Sequence, residues 1–428
     1  MKKALISVLI VLLILPVIAC DQQAAAELLM SDKPRDTSPE VSEDDLALLV
    51  EGNSAFAFEL YQALRKQEDN KDDNLFYSPY SISVALAMTY AGARGDTAEE
   101  MAATLHFILE QDGLHSAFNW LDTKLAGRGE GAQGADDEAF RLNIVNAIWG
   151  QKDYGFLMEF LDVLAENYGA GLRVLDFINE TEKSRITIND WVSDQTEGRI
   201  EDLIPQGVID ALTRLVLTNA IYFNAAWEYP FDKKTTADGP FYLLDGGQVS
   251  VPMMKQTESF GYTEGDGYQA VELLYDGGEL SMVILLPASE DFEAFEQGLE
   301  AQGVSDIISD LQPAEVGLTM PKFKFDSEFS LKDTLEGMGM ELAFSGAADF
   351  SGMTGTPDLC ISEVLHKAFV SVYESGTEAA AATAVVMRET AMPGEPVEVT
   401  IDHPFIFLIR DIETGAILFV GRVLNLGA

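Results

Sequence analysis

The stretch that most constrains the fold is residues 374–391, which read ESGTEAAAATAVVMRETA. It lies between two regions with the pattern of buried strands, the run AFVSVY at 368–373 and the apolar runs at 404–409 and 416–420. No proline occurs from Glu374 to Met392, so every backbone N–H is available for a β-ladder. A connection of this length without an evident element of its own is usually either functional or disordered.

The composition of this stretch favours a functional segment. Disordered linkers are rich in Pro, Ser and charge, whereas residues 377–387 carry one acid and otherwise only Ala, Thr, Val and Met. If the stretch is extended, alternate residues lie on the same face, and one of the two faces could be buried between strands. That face carries Thr377, Ala379, Ala381, Thr383, Val385 and Met387. The alternative is a short helix, since alanine is the strongest helix former, but a helix does not explain the gradient from small to larger apolar side chains.

The sequence GTEAAAAT at 376–383 resembles the hinge of the reactive-centre loop of serpins, the serine protease inhibitors that trap their target by inserting this loop into a sheet. Other family blocks are matched in family order over residues 47–428: NLFYSPYS at 74–81, GARGDT at 92–97, NAIW at 146–149, NDWV at 189–192, TEGRI at 196–200, LTNAIYF at 217–223, PFD at 230–232, VPMM at 251–254, MPKF at 320–323, LHKA at 365–368 and HPFIF at 403–407.

The resemblance implies a single α+β domain over residues 44–428, in agreement with the interleaved helix and strand patterns along the chain. It implies the serpin fold, with a dominant central β-sheet, further sheets, about eight or nine helices and an exposed reactive-centre loop at about 374–396. The residues that match the hinge are Glu374, Gly376, Thr377, Glu378, Ala379, Ala380, Ala381, Ala382 and Thr383. Non-inhibitory serpins typically depart from this pattern at the hinge, and this sequence does not.

The mechanism implied by the resemblance is suicide inhibition, in which no residue of this chain is catalytic. A serine protease cleaves the loop and forms an acyl-enzyme that water normally hydrolyses. Insertion of residues 376–390 as a new strand moves the esterified end by roughly 45 Å at 3.3 Å per residue. The enzyme is distorted in this covalent 1:1 complex, and the acyl-enzyme persists because its preorganised oxyanion donors are lost.

The position of the reactive bond is open. Counting forward from the hinge places it at Thr390-Ala391, which suits an elastase-like or subtilisin-like protease. Arg388-Glu389 would suit a trypsin-like protease, and Met392 is disfavoured because Pro393 follows it. Papain-like cysteine proteases also form acyl-enzymes and could be trapped. The rival functions are a non-inhibitory serpin that acts as a carrier or binding protein, and a structural lipoprotein.

The resemblance assigns a conformational role to a second group of residues, called the shutter, beneath the sheet that opens. These residues are Ser78, Ser81, Asn219 and His366. A buried histidine with satisfied hydrogen bonds is also the ordinary structural interpretation of His366. We therefore expect no catalytic role for it.

The N-terminus has the form of an export signal. Two lysines precede an apolar run at 4–18 that is too short for a comfortable bilayer span. Cys20 follows a small residue, as in a bacterial lipobox, which predicts a lipoprotein signal peptide at 1–19 and a lipidated, membrane-anchored Cys20. The alternatives are an ordinary signal peptide or an uncleaved anchor. Residues 20–43 lack apolar periodicity and predict an acidic, disordered tether, with the domain facing the periplasm or the extracellular space.

Charge and residue content exclude several functions. The net charge of −44 leaves no basic footprint for nucleic acid, and neither a phosphate loop, a zincin motif nor a nucleophile elbow occurs. With Cys20 lipidated, Cys360 has no partner for a disulfide. We expect a monomer that needs no cofactor or metal.

Two departures from the family pattern are visible. Leu274 stands where proline is usual, and residues 127–138 form a Gly-rich acidic insertion that predicts a surface loop. We expect neither of them to contact the hinge.

Overall fold

The computed structural model of the chain describes residues 26–136, 139–377 and 395–427. The predicted signal peptide and Cys20, hinge residues 378–383, and all candidate reactive bonds lie outside these ranges. The predictions about these residues therefore remain predictions.

The described residues contain ten α-helices and two short 3₁₀ turns, Ser289–Asp291 and Leu342–Phe344. The helices are α1 Glu43–Leu64, α2 Pro79–Tyr90, α3 Gly95–Thr104, α4 Gln111–Ala126, α5 Met158–Tyr168, α6 Thr181–Gln195, α7 Phe292–Gln297, α8 Ala301–Ser309, α9 Lys332–Met338 and α10 Ser351–Thr354. This is slightly more than the eight or nine predicted, and α10 is only one turn of four residues.

Sixteen β-strands are described. They are β1 Glu27–Leu29, β2 Leu75–Tyr77, β3 Arg141–Gln151, β4 Leu172–Leu175, β5 Leu215–Ala226, β6 Ala237–Tyr242, β7 Gln248–Gly265, β8 Tyr268–Leu274, β9 Leu280–Pro287, β10 Gln312–Pro321, β11 Phe323–Ser330, β12 Glu363–Tyr373, β13 Gly376–Thr377, β14 Val397–Thr400, β15 Phe405–Asp411 and β16 Ile417–Val423.

The strands form two sheets. The central sheet has seven strands in the order β1-β4-β3-β5-β13-β12-β11. The second sheet has nine strands, in the order β14-β10-β7-β8-β9-β15-β16-β2 with β6 paired to β7. The predicted α+β fold with a central sheet and further β structure is confirmed.

Helix α2 lies between the two sheets and is buried on every side. All twelve of its residues are buried, and it contacts β3 and β5 of the central sheet and β16 of the second. The helix begins where Ser78 caps it by accepting a hydrogen bond from the Ser81 amide and where Pro79 supplies a preset φ angle. The sequence SPYS thus fixes the start of the buried helix directly beneath the central sheet.

The described N-terminal residues differ from the predicted disordered tether. Strand β1 extends the central sheet by pairing with β4, and Arg35 binds Asn119 and Asp122 of α4. The prediction is therefore wrong for residues 26–42, up to Ser42, the N-cap of α1. Long-range polar contacts order this segment, and its own composition gives no sign of them.

The described residues include no helix that is both long enough and apolar enough to cross a bilayer.

Candidate functional site

The hinge enters the central sheet in the intact chain. Gly376 and Thr377 form β13, which pairs antiparallel with both neighbouring strands, β12 through Val372 and Tyr373 and β5 through Ala225 and Ala226. Below this point β5 and β12 pair directly with each other, in parallel. We call the end of the sheet at Ala225 and Val372 the upper end. There β13 separates β5 from β12, whereas at the lower end, from Glu363 to Ala368, β12 pairs directly with β5.

Gly376 passes close to the backbone of β5. Its φ angle is 154°, and a Cβ atom built on it would lie 2.1 Å from the carbonyl oxygen of Ala225. Because this contact is with backbone, a side chain could not be accommodated by a rotamer change. Only glycine fits here without moving β5 or the hinge.

Thr377 is the first side chain to enter the sheet and is almost completely buried, with 2% exposure. Its hydroxyl lies 2.8 Å from the hydroxyl of Tyr275, and the Tyr275 ring stacks on Trp227 with centroids 4.7 Å apart. Burial raises the pKa of the Tyr275 phenol, so this group stays neutral and can share a proton with Thr377. In the pocket that receives Thr377, the polar partner of its hydroxyl is thus a neutral phenol.

Glu374 fastens the start of the hinge to the rest of the domain. Its carboxylate binds Lys322 at 2.9 Å and accepts a hydrogen bond of 2.8 Å from the Thr236 hydroxyl. Burial alone would raise the pKa of Glu374, but the hydrogen bonds to its charged form, chiefly that from Lys322, outweigh burial and lower this pKa.

Backbone groups add to this attachment. The carbonyls of Glu374 and Ser375 accept hydrogen bonds from the amides of Phe231 and Trp227, at 2.8 and 2.9 Å. The Trp227 indole donates to the Tyr373 carbonyl at 3.0 Å. The backbone between β12 and the hinge is therefore held in place by hydrogen bonds to Trp227 and Phe231.

The described part of the Gly-rich insertion, residues 127–136, lies beside the hinge, contrary to the sequence expectation. The Ala226 amide donates to the Gln133 carbonyl at 3.0 Å, and the Ala135 amide donates to the Asn224 side chain at 2.7 Å. A Cβ atom on Gly376 would lie 2.9 Å from the Cβ atom of Ala135. The contacts are made by the Gln133 carbonyl and by the amide and side chain of Ala135. The Gly-rich, acidic composition of the loop does not indicate such contacts, which explains why it predicted a free surface loop.

The four predicted shutter residues lie together where β5 and β12 are still paired. Asn219 and His366 are partners across this pairing. His366 Nδ1 donates to Asn219 Oδ1, and the Asn219 amide nitrogen donates to Ser81 Oγ. The Ser78 amide donates to His366 Nε2 at 3.1 Å, so the N-terminus of α2 is tied to both strands.

Asn146 of β3 is a fifth member of this network. Its side-chain oxygen accepts hydrogen bonds from Asn219 and from Ser81, the latter at 3.1 Å. The sequence motif NAIW contains Asn146, but the motif alone did not indicate that its side chain reaches the shutter.

The histidine of the shutter is neutral. Burial lowers the pKa of His366 to about 3, because the charged imidazolium would lose its solvation. With Nε2 accepting from Ser78 and Nδ1 donating to Asn219, both ring nitrogens are satisfied only in the neutral form. The network joins β3, β5, β12 and α2 without a charge.

Metal binding has no evident site in the described residues: no group of three or more His, Cys, Asp or Glu side chains there is arranged to hold an ion.

Comparison with known proteins identifies the chain. The family model described as serpin (serine protease inhibitor) matches residues 51–426. The chain belongs to the serpin family.

Curated and structural relatives agree with this assignment. Leukocyte elastase inhibitor A of Rattus norvegicus is 42% identical to this serpin over 88% of the chain and 98% of the relative. The native thermophilic serpin tengpin aligns with a TM-score of 0.80 and 29% identity over 94% of this chain and all of tengpin. Human thyroxine-binding globulin, solved as a complex with its hormone, aligns with a TM-score of 0.80 and 31% identity over 90% of this chain and 100% of the relative.

The sequence did not indicate every residue of the site. Lys322 lies within the motif MPKF but gave no sign of pairing with Glu374. Tyr275 and Trp227 belong to no motif that points to the hinge. Their role follows from the position of Thr377 between two strands that are distant in sequence.

Proposed function

We propose that this serpin is a suicide-substrate inhibitor of serine proteases, which traps the acyl-enzyme by inserting its cleaved reactive-centre loop into the central sheet. The observation that carries the proposal is the position of β13, whose two residues lie between β5 and β12 in the same antiparallel sense that further insertion requires. Each hinge residue that follows would extend a strand that has already begun.

The registers of the neighbouring strands support the same movement. Thr377 pairs with Ala225 on one side and Val372 on the other. Six residues further along an extended ladder, Thr383 would lie opposite Asn219 on β5 and His366 on β12. These two residues are already partners across the closed part of the sheet, so β5 and β12 need only separate and need not slide.

Insertion would replace the shutter interactions. The hydrogen bond between His366 and Asn219 would break, and the Thr383 hydroxyl would enter between them on the same face as Thr377. The inserted strand would satisfy the backbone groups of both neighbours along its whole length. Stored strain in the metastable native fold supplies the driving force for this change.

The target we favour is an elastase-like or subtilisin-like serine protease cleaving at Thr390-Ala391. The similarity to rat leukocyte elastase inhibitor A supports this choice, as does the small side chain of Thr390. Cleavage at Arg388-Glu389 by a trypsin-like protease, cleavage at Met392, and trapping of a papain-like protease remain the alternatives.

A non-inhibitory carrier function is the second candidate, and the structural likeness to a hormone-binding globulin supports it. The intact hinge pattern and the neutral pocket that receives Thr377 favour inhibition instead. We further propose that the protein is an exported monomer anchored to a bacterial membrane through lipidated Cys20. Mass spectrometry of the mature N-terminus tests this anchor; an unmodified residue there would refute it.

Incubation with elastase, subtilisin, trypsin and papain followed by denaturing gels tests the inhibitory function. We expect a covalent complex with at least one serine protease, and the mass of the released peptide fixes the reactive bond. If the loop is cleaved but no complex forms, thermal unfolding of the cleaved chain distinguishes the two functions. A melting temperature that does not rise after cleavage would support the non-inhibitory carrier function.

A further inference from the structure

The described N-terminal segment, residues 26–42, forms an ordered strap along one edge of the domain. After β1 pairs with β4, Ser31 donates to Asp162 of α5 and Lys33 bridges Asp162 and Glu166 at 3.1 and 2.9 Å. Arg35 then binds Asn119 at 2.8 Å and Asp122 at 2.6 Å on α4. The strap is therefore held mainly at the surface of two helices and one edge strand.

The register of the central sheet places the start of the strap at the pole opposite the hinge. Glu27 pairs with Val174, Val174 with Gly150, and Gly150 with Leu215, the first residue of β5. The hinge residue Thr377 pairs with Ala225. Ten residues of β5 separate these two levels, or about 33 Å along the strand.

The C-terminal end of an inserted loop would lie at the same pole as the start of the strap. Extending the register of Thr377 against β5 places Thr390 opposite Leu212, three residues beyond the level of Glu27, or about 10 Å. The insertion slot and β1 are four strand spacings apart, or about 19 Å. A protease of roughly 230 residues is on the order of 45 Å across, so it would cover the place where the N-terminal chain leaves the domain.

With the proposed lipid anchor, a protease trapped at this pole would lie next to the membrane. With Cys20 lipidated, only residues 20–25 would separate the membrane from the strap, a reach of at most about 20 Å. That gap is too small for a protease on the order of 45 Å across. Detachment of residues 26–42 would lengthen the free chain to a maximum of about 78 Å.

We propose that the strap is a releasable tether: it holds the pole opposite the reactive-centre loop near the membrane in the free inhibitor, and it detaches when a trapped protease arrives there. This inference rests on the proposed trapping function and on the proposed lipid anchor. In the free state the hinge, at Gly376 and Thr377, then lies at the pole away from the membrane.

The contacts of the strap fit release. Only three residues of it form a strand, and the side chains of Lys33 and Glu166 are 46% and 42% exposed. Ion pairs with this exposure contribute little to stability. The contacts of Arg35 with Asn119 and Asp122 and the packing of Leu29 against the core keep the strap ordered in the free inhibitor.

A disulfide lock tests the proposal. Glu27 and Val174 are antiparallel partners, so their Cα atoms lie at a separation that a disulfide can span. The variant Glu27→Cys/Val174→Cys, in a Cys360→Ser background, cannot release the strap. Glu27→Cys in the same background is the matched control, because it carries one cysteine at this site and forms no lock.

Both variants are compared with elastase in two forms: the lipidated chain in vesicles of phosphatidylcholine and phosphatidylglycerol, and a lipid-free chain starting at Asp21, which contains every described residue. The readout is the ratio of covalent complex to cleaved inhibitor. We expect the lock to lower this ratio about fivefold or more on vesicles and to leave it unchanged without lipid.

Each other outcome overturns a separate premise. Equal ratios on vesicles would refute strap release. An equal loss in both forms would mean that the strap acts on the sheet itself and not through the membrane. If the lipid-free control forms no complex with elastase, trapping of that protease fails, and mass spectrometry of Cys20 reports separately on the anchor.

Discussion

The upper and lower halves of the same pair of strands, β5 and β12, are held in opposite ways. At the upper end a two-residue strand, β13, already separates them, and the hinge that supplies it is held by Lys322 at Glu374 and by Tyr275 at Thr377. At the lower end the strands pair directly, and a neutral network around His366 joins them to α2. Under the proposed mechanism the upper end would be the entrance for the inserting loop and the lower end the barrier to it, and each can be altered separately.

The largest effect is expected from Thr377→Arg. The pocket beside Tyr275 is neutral and buried, so an arginine would place an unpaired charge there at a cost of several kcal/mol. We expect the yield of covalent complex to fall about tenfold or more while cleavage of the loop continues, because the loop would be a substrate that cannot insert.

The control for this variant is Thr377→Ser, which keeps the hydroxyl that contacts Tyr275. It should retain most of the complex on the same gels. Equal complex yields from the arginine and serine variants would contradict the proposed entry of residue 377 into the sheet.

Gly376→Ala tests the entrance without adding charge. The new Cβ atom would overlap the Ala225 carbonyl, so β13 must shift at a cost of about 1–3 kcal/mol. We expect faster hydrogen exchange at the amides of residues 376–377 and 225–226. Gly155→Ala is the matched control, since nothing lies within 4 Å of its Cβ position; similar exchange in both variants would show that the entrance is loosely held.

Acid should destabilise the lower end of the β5–β12 pair, where His366 is buried. Because the pKa of His366 is lowered to about 3, the unfolded chain binds a proton near pH 6.5 that the folded chain does not. The free energy of unfolding should therefore fall as the pH drops below 6.5, by about 2 kcal/mol at pH 5. Urea unfolding at pH 7 and pH 5 measures this change.

The variant His366→Asn should remove a large part of the acid sensitivity. Another part should persist, because burial also lowers the pKa of His115, to about 4. Between pH 8 and 7 the variant and the parent should show the same pH dependence. An unchanged slope between pH 7 and 5 in the variant would mean that His366 is not the group that titrates.

Glu374→Gln should have the smallest effect, about 1 kcal/mol, because the amide keeps a hydrogen-bonding oxygen for Thr236 and Lys322 but loses the charge attraction. The lowered pKa of Glu374 means that its contribution is present above the ordinary carboxyl pKa and is lost as the pH falls through the folded-state value. The difference between variant and parent in urea midpoint should therefore shrink in acid; a constant difference would exclude the charge as its cause.

Much of the fold and of this site could be predicted from the sequence because local patterns specify them. The proline-free, small-residue run after β12 predicted a segment able to join a sheet, and β13 pairs in that way over its two described residues. The motifs that carry Ser78, Asn219 and His366 identified residues that the structure brings together.

The remainder depends on contacts between distant segments. The residue composition of 26–42 resembles a linker, yet Lys33 and Arg35 find carboxylates on α5 and α4. The Gly-rich loop reaches the hinge through its backbone groups and the buried Ala135. Tyr275 meets Thr377 across 102 positions of sequence, a relationship that neither periodicity nor composition encodes.

The crystal structure of the chain cleaved in its reactive-centre loop tests the central claim most directly. The account predicts a complete strand between β5 and β12, with Thr383 opposite both Asn219 and His366 and the bond between those two side chains broken. A cleaved chain in which β5 and β12 still pair directly from Glu363 to Ala368 would contradict it.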